Sequence, residues 1–212
     1  MSPTHRQRIV VIGHGMVGHR FVQAAIERGL TETHDVVVLG EEPRPAYDRV
    51  ALTSYFAADS ADELSLLPGG EYDDPRVSLR LATVVSAIDP AARTVRLADG
   101  EVLAYDQLVL ATGAAPFVPP VPGKDLDGCF VYRTIEDLDA IIEYGKTGKS
   151  AAVIGGGLLG LEAAKAVKEL GLETHVVEMA SHLMPRQLDS AGARLLLKDI
   201  EALDVSVHLS KQ

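Results

Sequence analysis

The chain has 212 residues, 47% of them hydrophobic, so it is long and apolar enough to form a packed core in one or two domains. Its net charge of −10, with no run of basic residues, argues against nucleic acid as a partner. No apolar stretch approaches the roughly 20 residues that span a bilayer. The polar start MSPTHRQR argues against a signal peptide, so we expect a cytoplasmic protein without a membrane partner.

The first elements along the chain surround a glycine-rich turn. Apolar patterning predicts a strand over 8–12, a helix over 16–28 that ends at Gly29, and a second strand over 35–40. Between the first strand and the helix stand Gly13, Gly15 and Gly18, spaced as G-x-G-x-x-G. The first glycine permits a tight turn, the second lets the backbone approach a pyrophosphate, and the third lets the helix lie close to the sheet.

An acidic pair, Glu41 and Glu42, follows the second strand. A carboxylate at this point accepts hydrogen bonds from ribose hydroxyls, and the helix N-terminus, with a partial charge of roughly +0.5, faces the phosphates. No Lys-Ser or Lys-Thr follows the last glycine, which argues against a mononucleotide P-loop. These residues therefore predict a dinucleotide site, the alternative being a tight turn that binds no ligand.

The middle of the chain predicts a long loop, a meander and a buried strand. The loop runs from Glu41 to about Asp74 through Pro43, Pro45, Pro68, Gly69 and Gly70, and a loop of this length in a compact domain is usually functional. Alternating patterns over 83–88, 94–98 and 101–105 predict a small antiparallel meander. The segment YDQLVLATGAAP then predicts a buried strand that ends in a Thr-Gly turn.

A proline-rich boundary at 114–123 precedes a second unit of the same design. Thr134 with Asp137 predicts a capped helix to about residue 144. A strand over 151–154, a helix over 158–170 and a strand over 174–178 follow. They surround the glycines Gly155, Gly157 and Gly160 and end in the acid Glu178. The presence of two such turns makes it less plausible that they bind no ligand. It indicates one nucleotide that stays bound and a second that binds and leaves in each catalytic cycle.

The end of the chain predicts a helix over 189–203, capped by Asp189, and a last strand in DVSVHLS. A doubly wound domain needs more strands than these, so we expect a fragment of a longer protein. The predicted fold class is α/β, with tandem Rossmann-like dinucleotide-binding units, a small antiparallel β-meander and a truncated second unit. The expected divisions are a first dinucleotide-binding domain over 1–117, a connecting segment and helix over 118–149, and the start of a second domain over 150–212.

Cysteine and histidine do not indicate metal or disulfide chemistry. Cys129 is the only cysteine, so no internal disulfide, C-x-x-C pair or iron–sulfur cluster can form, and we interpret it as a small buried hydrophobic residue. The histidines show no metal-ligand spacing and are interpreted as surface or packing residues: His5, His14, His19, His34, His175, His182 and His208. No metal site is predicted.

On these residues the chain resembles the two-dinucleotide-binding flavoproteins of the pyridine nucleotide-disulfide oxidoreductase fold. The ATG turn at 111–113, between the two glycine turns, and the meander that interrupts the first domain match that family's pattern. More narrowly, essentially the whole chain resembles the N-terminal part of the large subunits of assimilatory NAD(P)H nitrite reductases. The segments that carry this resemblance are GHGMVGHRF, EEPRPAYDRVALTSYF, DELSLLP, CFVYRTIEDLDAI and GGGLLGLEAAKAVKELGLETHVVE.

The resemblance implies that the first site holds FAD and that the second takes NAD(P)H as co-substrate. The residues it implies for FAD are Gly13, Gly15, Met16, Val17, Gly18, Glu41, Glu42, Arg49, Val85, Ala111, Thr112 and Gly113. Those for the nicotinamide nucleotide are Gly155, Gly157, Leu158, Leu159, Gly160, Glu162 and Glu178. For Glu162 a plain surface acid is the alternative. No side chain is assigned as catalytic, because the cofactors carry the chemistry.

Two departures from related enzymes limit the chemistry. Ser54 stands where related ferredoxin reductases carry a lysine, so no catalytic lysine is assigned, and the redox-active cysteine pair of disulfide reductases is missing. Glu178 would repel a 2′-phosphate, and no arginine closer than Arg186 follows it, so we predict NADH over NADPH.

The resemblance implies a module that takes hydride from NADH onto FAD and passes electrons on for the reduction of nitrite to ammonium. The acceptor would be iron–sulfur and sirohaem centres in the remainder of the polypeptide, or a small redox subunit. Two alternatives remain open. One is a free-standing NADH-dependent rubredoxin or ferredoxin reductase or NADH oxidase, and the other is a nucleotide-binding fragment that is inactive on its own.

Overall fold

A computed structural model describes residues 6–58, 60–67 and 72–211. Contacts divide the chain into two compact units, Met1–Arg49 with Leu64–Ala115, and Val50–Glu63 with Pro116–Gln212. The chain therefore passes three times from one unit to the other. None of the helices in these described ranges has the length and hydrophobicity needed to cross a membrane.

The first unit contains an α/β sheet and a meander. Its elements are β1 (Gln7–Ile12), α1 (Met16–Glu27), β2 (His34–Leu39), β3 (Val77–Arg80), β4 (Val85–Asp89), β5 (Thr94–Leu97), β6 (Val102–Ala104) and β7 (Gln107–Leu110). The parallel sheet has the order β3-β2-β1-β7, and β4, β5 and β6 form a separate antiparallel sheet. Because β7 joins β1 on the side away from β2, the order reverses at β1, where ligands bind in open α/β sheets.

The core of the first unit lies on both faces of β1 and β2. On one face Ile9, Val11 and Val36 pack with Val22 of α1. On the other face Val10 packs in a cluster with residues of the meander, among them Val95 and Leu97. Burial on both faces explains why these strands are continuous runs of valine and isoleucine.

The second unit contains α2 (Ile135–Gly145), β8 (Ser150–Ile154), α3 (Leu158–Glu169), β9 (Glu173–Val177), α4 (Ser190–Ala202) and β10 (Val205–His208). Its sheet is parallel, with the order β10-β9-β8. Ala164 of α3 and Val176 of β9 pack with Leu183 and Val205 in its core. The predicted Asp189 cap is confirmed, since its carboxylate accepts hydrogen bonds from the N–H groups of Ala191 and Gly192.

The segment Val50–Glu63 belongs to the second unit although it lies within the sequence of the first. It includes a 3₁₀ helix, Leu52–Ala57. The Tyr55 hydroxyl donates to Asp139 Oδ1 at 2.6 Å, and the Tyr132 hydroxyl donates to Thr53 Oγ1 at 3.1 Å. The rings of Phe56 and Tyr132 stack with centroids 6.3 Å apart.

Several expectations need correction. The predicted elements omit strand β3, and the stretch from Glu41 to Asp74 is not a plain loop, because it contains the 3₁₀ helices Leu52–Ala57 and Ala61–Leu64. Strand β7 forms, but it is only partly buried, since Leu110 is 62% exposed. Pro68, Gly69 and Gly70 lie outside the described residues.

The burial expected for Cys129 is wrong, because this residue is exposed and its thiol donates to the Gly123 carbonyl at 3.4 Å. The surrounding segment is rich in turns and supplies no helix or strand face to bury an apolar side chain. Of the histidines, His14 and His19 are buried as packing residues, and the other described ones are half-buried or exposed. His5 lies outside the described residues.

Helix α2 begins with the capping box that the sequence predicts. Thr134 Oγ1 accepts from the Asp137 N–H at 3.2 Å, and Asp137 Oδ2 accepts from the Thr134 N–H at 2.9 Å. We expect Thr134→Ala to lower the free energy of unfolding by about 1 kcal/mol, because one helix N–H loses its acceptor. Urea unfolding measures the loss, with Ser190→Ala, at an exposed first position of α4, as the matched control. An equal loss in both variants would contradict the cap's contribution.

Candidate functional site

The first glycine turn follows β1 and is closed by main-chain contacts. Gly13 has φ +104°, and a Cβ on it would lie 2.2 Å from the Ala111 carbonyl oxygen. A Cβ on Gly18 would lie 2.0 Å from the Gly13 carbonyl oxygen. The Ala111 N–H donates to the Ile12 carbonyl at 2.7 Å, so the turn packs on the end of β7. Both positions therefore require glycine.

Gly15 differs from its two neighbours because its side-chain position is open. It precedes α1 as the N-cap residue, and a Cβ on it would meet only Arg49 Nε, at 3.8 Å. Met16 and Val17, which start α1, are 37% and 71% exposed although they are apolar. Open space in front of unpaired helix N–H groups suits a pyrophosphate. The residues present thus fit the diphosphate of a dinucleotide.

The structure separates the two acids that follow β2. The Glu42 carboxylate is already hydrogen-bonded within the protein, since it accepts from the Tyr47 hydroxyl at 2.7 Å and from the Arg49 guanidinium. That guanidinium lies over the Tyr47 ring, 4.9 Å from its centroid. Glu41 is exposed and has no hydrogen bond to another described residue. Glu42 therefore holds Arg49 beside Gly15, and the Glu41 carboxylate stays available for a ligand.

The other residues predicted for the first site lie near the same end of the sheet. The Thr83 N–H donates to the Gly40 carbonyl at 2.7 Å, which brings the segment before Val85 to the end of β2. Val85 itself is half-buried against the apolar cluster of the meander. Thr112 and Gly113 follow the end of β7 and are exposed. The glycine turn, the two acids and the Thr112-Gly113 turn thus follow the carboxyl ends of β1, β2 and β7, and Val85 begins β4 two residues after Thr83.

The second glycine turn repeats this geometry. Gly155 has φ +111°, and a Cβ on Gly160 would lie 1.9 Å from the Gly155 carbonyl oxygen. A Cβ on Gly157 would meet nothing within 4 Å. Leu158 and Leu159 are 56% and 64% exposed. With these glycines and Ile154 they line an open hollow of about 360 Å³.

Glu178 makes two hydrogen bonds that the sequence did not suggest. Its Oε2 accepts from the Gly156 N–H at 2.6 Å, and its Oε1 accepts from the Ala180 N–H at 2.6 Å. The carboxylate therefore ties the end of β9 to the glycine turn. Gly156 itself was missed by sequence reasoning, because the middle residue of G-x-G is not fixed by the motif.

In each unit the residue after the first glycine of the turn lies close to the residue after the second strand, and one member of this pair is glycine. The two units differ in which member that is. The Gly13 N–H donates to the Leu39 carbonyl and the Gly155 N–H to the Val177 carbonyl, so Gly40 corresponds in register to Glu178. In the second unit Gly156 leaves room for Glu178. In the first unit Gly40 leaves room for His14, whose Cβ would lie 3.1 Å from a Cβ on Gly40. Glu41 therefore lies one position later than Glu178.

Glu162 completes the predicted set, and Ser54 stands where related ferredoxin reductases carry a lysine. Glu162 is half-buried on α3. Burial raises the pKa of Tyr132, the hydrogen bond to Thr53 opposes this as the second largest effect, and the charges of Glu162 and Glu169 add smaller increases. Ser54 is exposed, and its hydroxyl donates to the Ala51 carbonyl at 2.7 Å. Within the described residues, no three His, Cys, Asp or Glu side chains are grouped to hold a metal ion.

Two α/β units, each with an open glycine turn at the carboxyl end of a parallel sheet, define a protein of the dinucleotide-binding fold. The chain belongs to the pyridine nucleotide-disulphide oxidoreductase family, whose sequence profile matches residues 7–212. It is a family of oxidoreductases.

Several relatives of the chain are named as nitrite reductases. The chain is 54% identical over 203 residues to the nitrite reductase [NAD(P)H] large subunit of Klebsiella oxytoca, covering 96% of this chain and 21% of that one. It is 46% identical to the nitrite reductase (NADH) large subunit of Escherichia coli, covering 96% and 24%. It thus spans less than a quarter of either relative. Among solved structures, the NAD-dependent persulfide reductase from A. fulgidus has a TM-score of 0.86 at 29% identity, covering 96% and 40%.

Proposed function

We propose that the chain is the FAD- and NADH-binding module of an NAD(P)H-dependent nitrite reductase large subunit. The observation that carries this proposal is the pair of glycine turns, in which Gly15 and Gly157 open onto free space at helix N-termini. The identity to the Klebsiella oxytoca large subunit supports nitrite reduction as the function of the whole protein.

The first unit supplies the groups that would hold FAD, within a domain that we place at 1–117. Helix N–H groups after Gly15 and the Arg49 guanidinium would bind the pyrophosphate, and Glu41 would bind the ribose. Val85 would lie near the adenine, and Thr112 and Gly113 beside the cofactor. When bound, FAD supplies hydride acceptance from NADH and release of single electrons.

The second unit would take the nicotinamide nucleotide, within a domain that starts at about residue 150 after the connecting segment 118–149. The N–H groups after Gly157 would bind its pyrophosphate, and Glu162 would lie near the nicotinamide. Glu178 still has free lone pairs for a ribose hydroxyl, because each carboxylate oxygen can accept two hydrogen bonds. Its charge would oppose a 2′-phosphate, and the next residue, Met179, is not a cation. NADH is therefore preferred.

The remaining steps belong to the whole protein. Iron–sulfur and sirohaem centres elsewhere in the polypeptide, or a small redox subunit, would receive the electrons and reduce nitrite to ammonium. The proposed reaction takes place in the cytoplasm and involves neither nucleic acid nor a membrane.

Two glycine variants test the assignment of the sites. Gly15→Ala and Gly157→Ala each place a methyl group in open space, so the protein still folds. The methyl group then takes up space that the pyrophosphate would need. We expect Gly15→Ala to weaken FAD binding by about tenfold or more, and Gly157→Ala to weaken NADH binding to the same extent, which corresponds to about 1.4 kcal/mol. Each variant leaves the other nucleotide unaffected.

The measurements use the full-length protein. Flavin fluorescence titration gives FAD affinity, anaerobic bleaching of the flavin by NADH or NADPH gives the nucleotide preference, and nitrite-dependent NADH oxidation gives the activity. Failure of the wild type to bind either nucleotide would refute the proposal. Flavin bleaching without nitrite consumption would favour a reductase with another acceptor, and faster bleaching by NADPH would overturn the preference for NADH.

A further inference from the structure

Two buried histidines and a tyrosine lie together at the first glycine turn. His14 and His19 are 8% and 3% exposed. The Tyr72 hydroxyl is hydrogen-bonded to His14 Nε2 and lies 3.5 Å from His19 Nδ1. The ring centroid of His14 is 5.3 Å from that of Tyr72 and 6.1 Å from that of His19. One phenol thus connects two imidazoles at the turn.

The hydrogen bonds of this cluster fit neutral imidazoles. A neutral imidazole has one donor and one acceptor nitrogen, and a hydroxyl donates one proton and accepts others, so Tyr72 can serve both rings. His14 Nδ1 and His19 Nε2 are buried without a hydrogen-bond partner among the described residues. Protonation of His14 would add a charge and a second donor, for which the described part of the chain offers no further acceptor. Such a charge is costly when it is unpaired.

Among the described residues, the groups that face His14 offer it no negative charge. Helix α1 faces it with His19 and the segment before β3 with Tyr72, while the end of β2 contributes Gly40, beside Leu81. None of these is a carboxylate. Burial, and after it the neighbouring His19, lowers the pKa of His14 from 6.5 to about 4.

Two members of the cluster, His14 and His19, belong to the glycine turn and helix start that we assign to FAD. His14 stands between Gly13 and Gly15, and His19 follows Gly18 in the first turn of α1. We therefore expect a displaced His14 ring to disturb the backbone that would face the pyrophosphate. Tyr72, 58 residues along the chain from His14, fixes that ring from a different element.

We propose that His14, His19 and Tyr72 form an acid-sensitive latch, which holds the first glycine turn in its binding shape while His14 is neutral and releases FAD when His14 is protonated. The proposal rests on the assignment of FAD to the first site. It makes Tyr72 and His14 positioning residues, since they act on the cofactor through the turn.

The direction of the pH effect follows from linkage. His14 has a lower pKa in the closed turn than in an opened one, where it returns toward 6.5, so the opened turn binds more protons between these values. The latch is therefore intact above pH 6.5 and weakens as the pH falls toward 4. Between pH 7.5 and 5.0 we expect the Kd for FAD to rise by about tenfold, with a linkage limit of about thirtyfold.

Flavin fluorescence titration of the apoprotein at both pH values tests this with three variants. His14→Asn keeps a hydrogen-bonding side chain that does not titrate, so its Kd should change by less than about twofold with pH. Tyr72→Phe should bind FAD more weakly than the wild type at pH 7.5 and show a smaller pH effect. Tyr105→Phe, in the same unit and outside the cluster, is the matched control and should behave as the wild type.

Three results would overturn the latch: no loss of wild-type affinity at pH 5.0, tighter binding at pH 5.0, or the same acid loss in His14→Asn. Hydrogen exchange of the Met16–His19 amides in the apoprotein gives a second readout. After correction for intrinsic rates, these amides should be less protected at pH 5.0 in the wild type than in His14→Asn, and equal protection would also overturn the proposal. If the wild type binds no FAD at pH 7.5, the proposed function fails, and this exchange comparison alone decides the latch.

Discussion

Replacing Gly18 by alanine is expected to abolish FAD binding and to lower the free energy of unfolding of the first unit by about 3 kcal/mol. The added Cβ would lie 2.0 Å from the Gly13 carbonyl oxygen, and no side-chain rotation relieves an overlap with the backbone. Gly160→Ala should have the same effect on the second unit, where the distance to the Gly155 carbonyl oxygen is 1.9 Å.

Urea unfolding together with FAD and NADH titrations measures these losses. Gly15→Ala and Gly157→Ala are the matched controls, because they add the same methyl group in the same turns without a clash. The controls should lose nucleotide affinity but keep most of their stability. Wild-type stability in Gly18→Ala would show that the helix does not lie as close to the turn as the structure places it.

Glu178→Ala is expected to lower stability by about 2 kcal/mol and to weaken NADH binding, because two charge-assisted hydrogen bonds are lost. The N–H groups of Gly156 and Ala180 would be left without their acceptor. NADPH should lose less affinity than NADH, since the repulsion of its 2′-phosphate is removed at the same time.

Glu178→Gln separates the two effects, because the amide keeps an acceptor oxygen but carries no charge. We expect this variant to retain more stability than Glu178→Ala while showing the same shift toward NADPH. Glu173→Ala, at the exposed start of β9, serves as the control. Unchanged discrimination between the two nucleotides in both Glu178 variants would remove Glu178 from the specificity of the site.

The sequence was sufficient for features that depend on local or repetitive constraints. Main-chain contacts at Gly13 and Gly18 exclude any side chain, so these positions must be glycine. The spacing of the glycines in the sequence therefore predicts the geometry of the turn. Strands β1 and β2 are buried on both faces and therefore stand out as runs of branched apolar residues. Strand β3 has only four residues, and its identity depends on pairing with β2, which its own pattern does not reveal.

Features that depend on contacts between distant residues could not be predicted. The bond from Gly156 to Glu178 spans 22 positions, and the one from His14 to Tyr72 spans 58. Neither has a local pattern, and the equivalence of Gly40 with Glu178 becomes visible only from the strand register. The exposure of Cys129 was missed for a related reason, because side-chain type does not determine burial where the backbone forms turns.

The course of the chain through Val50–Glu63 restricts how the protein can be taken apart by genetic means. A truncation at the proline-rich boundary would keep Thr53, Tyr55 and Phe56 but delete Tyr132 and Asp139, so the two hydrogen bonds and the ring stacking between these segments would be lost. To isolate the first unit without these broken contacts, residues 50–63 would also have to be replaced by a short connector. Shuffling of either half between homologues would meet the same obstacle, so the two halves are expected to be inherited together.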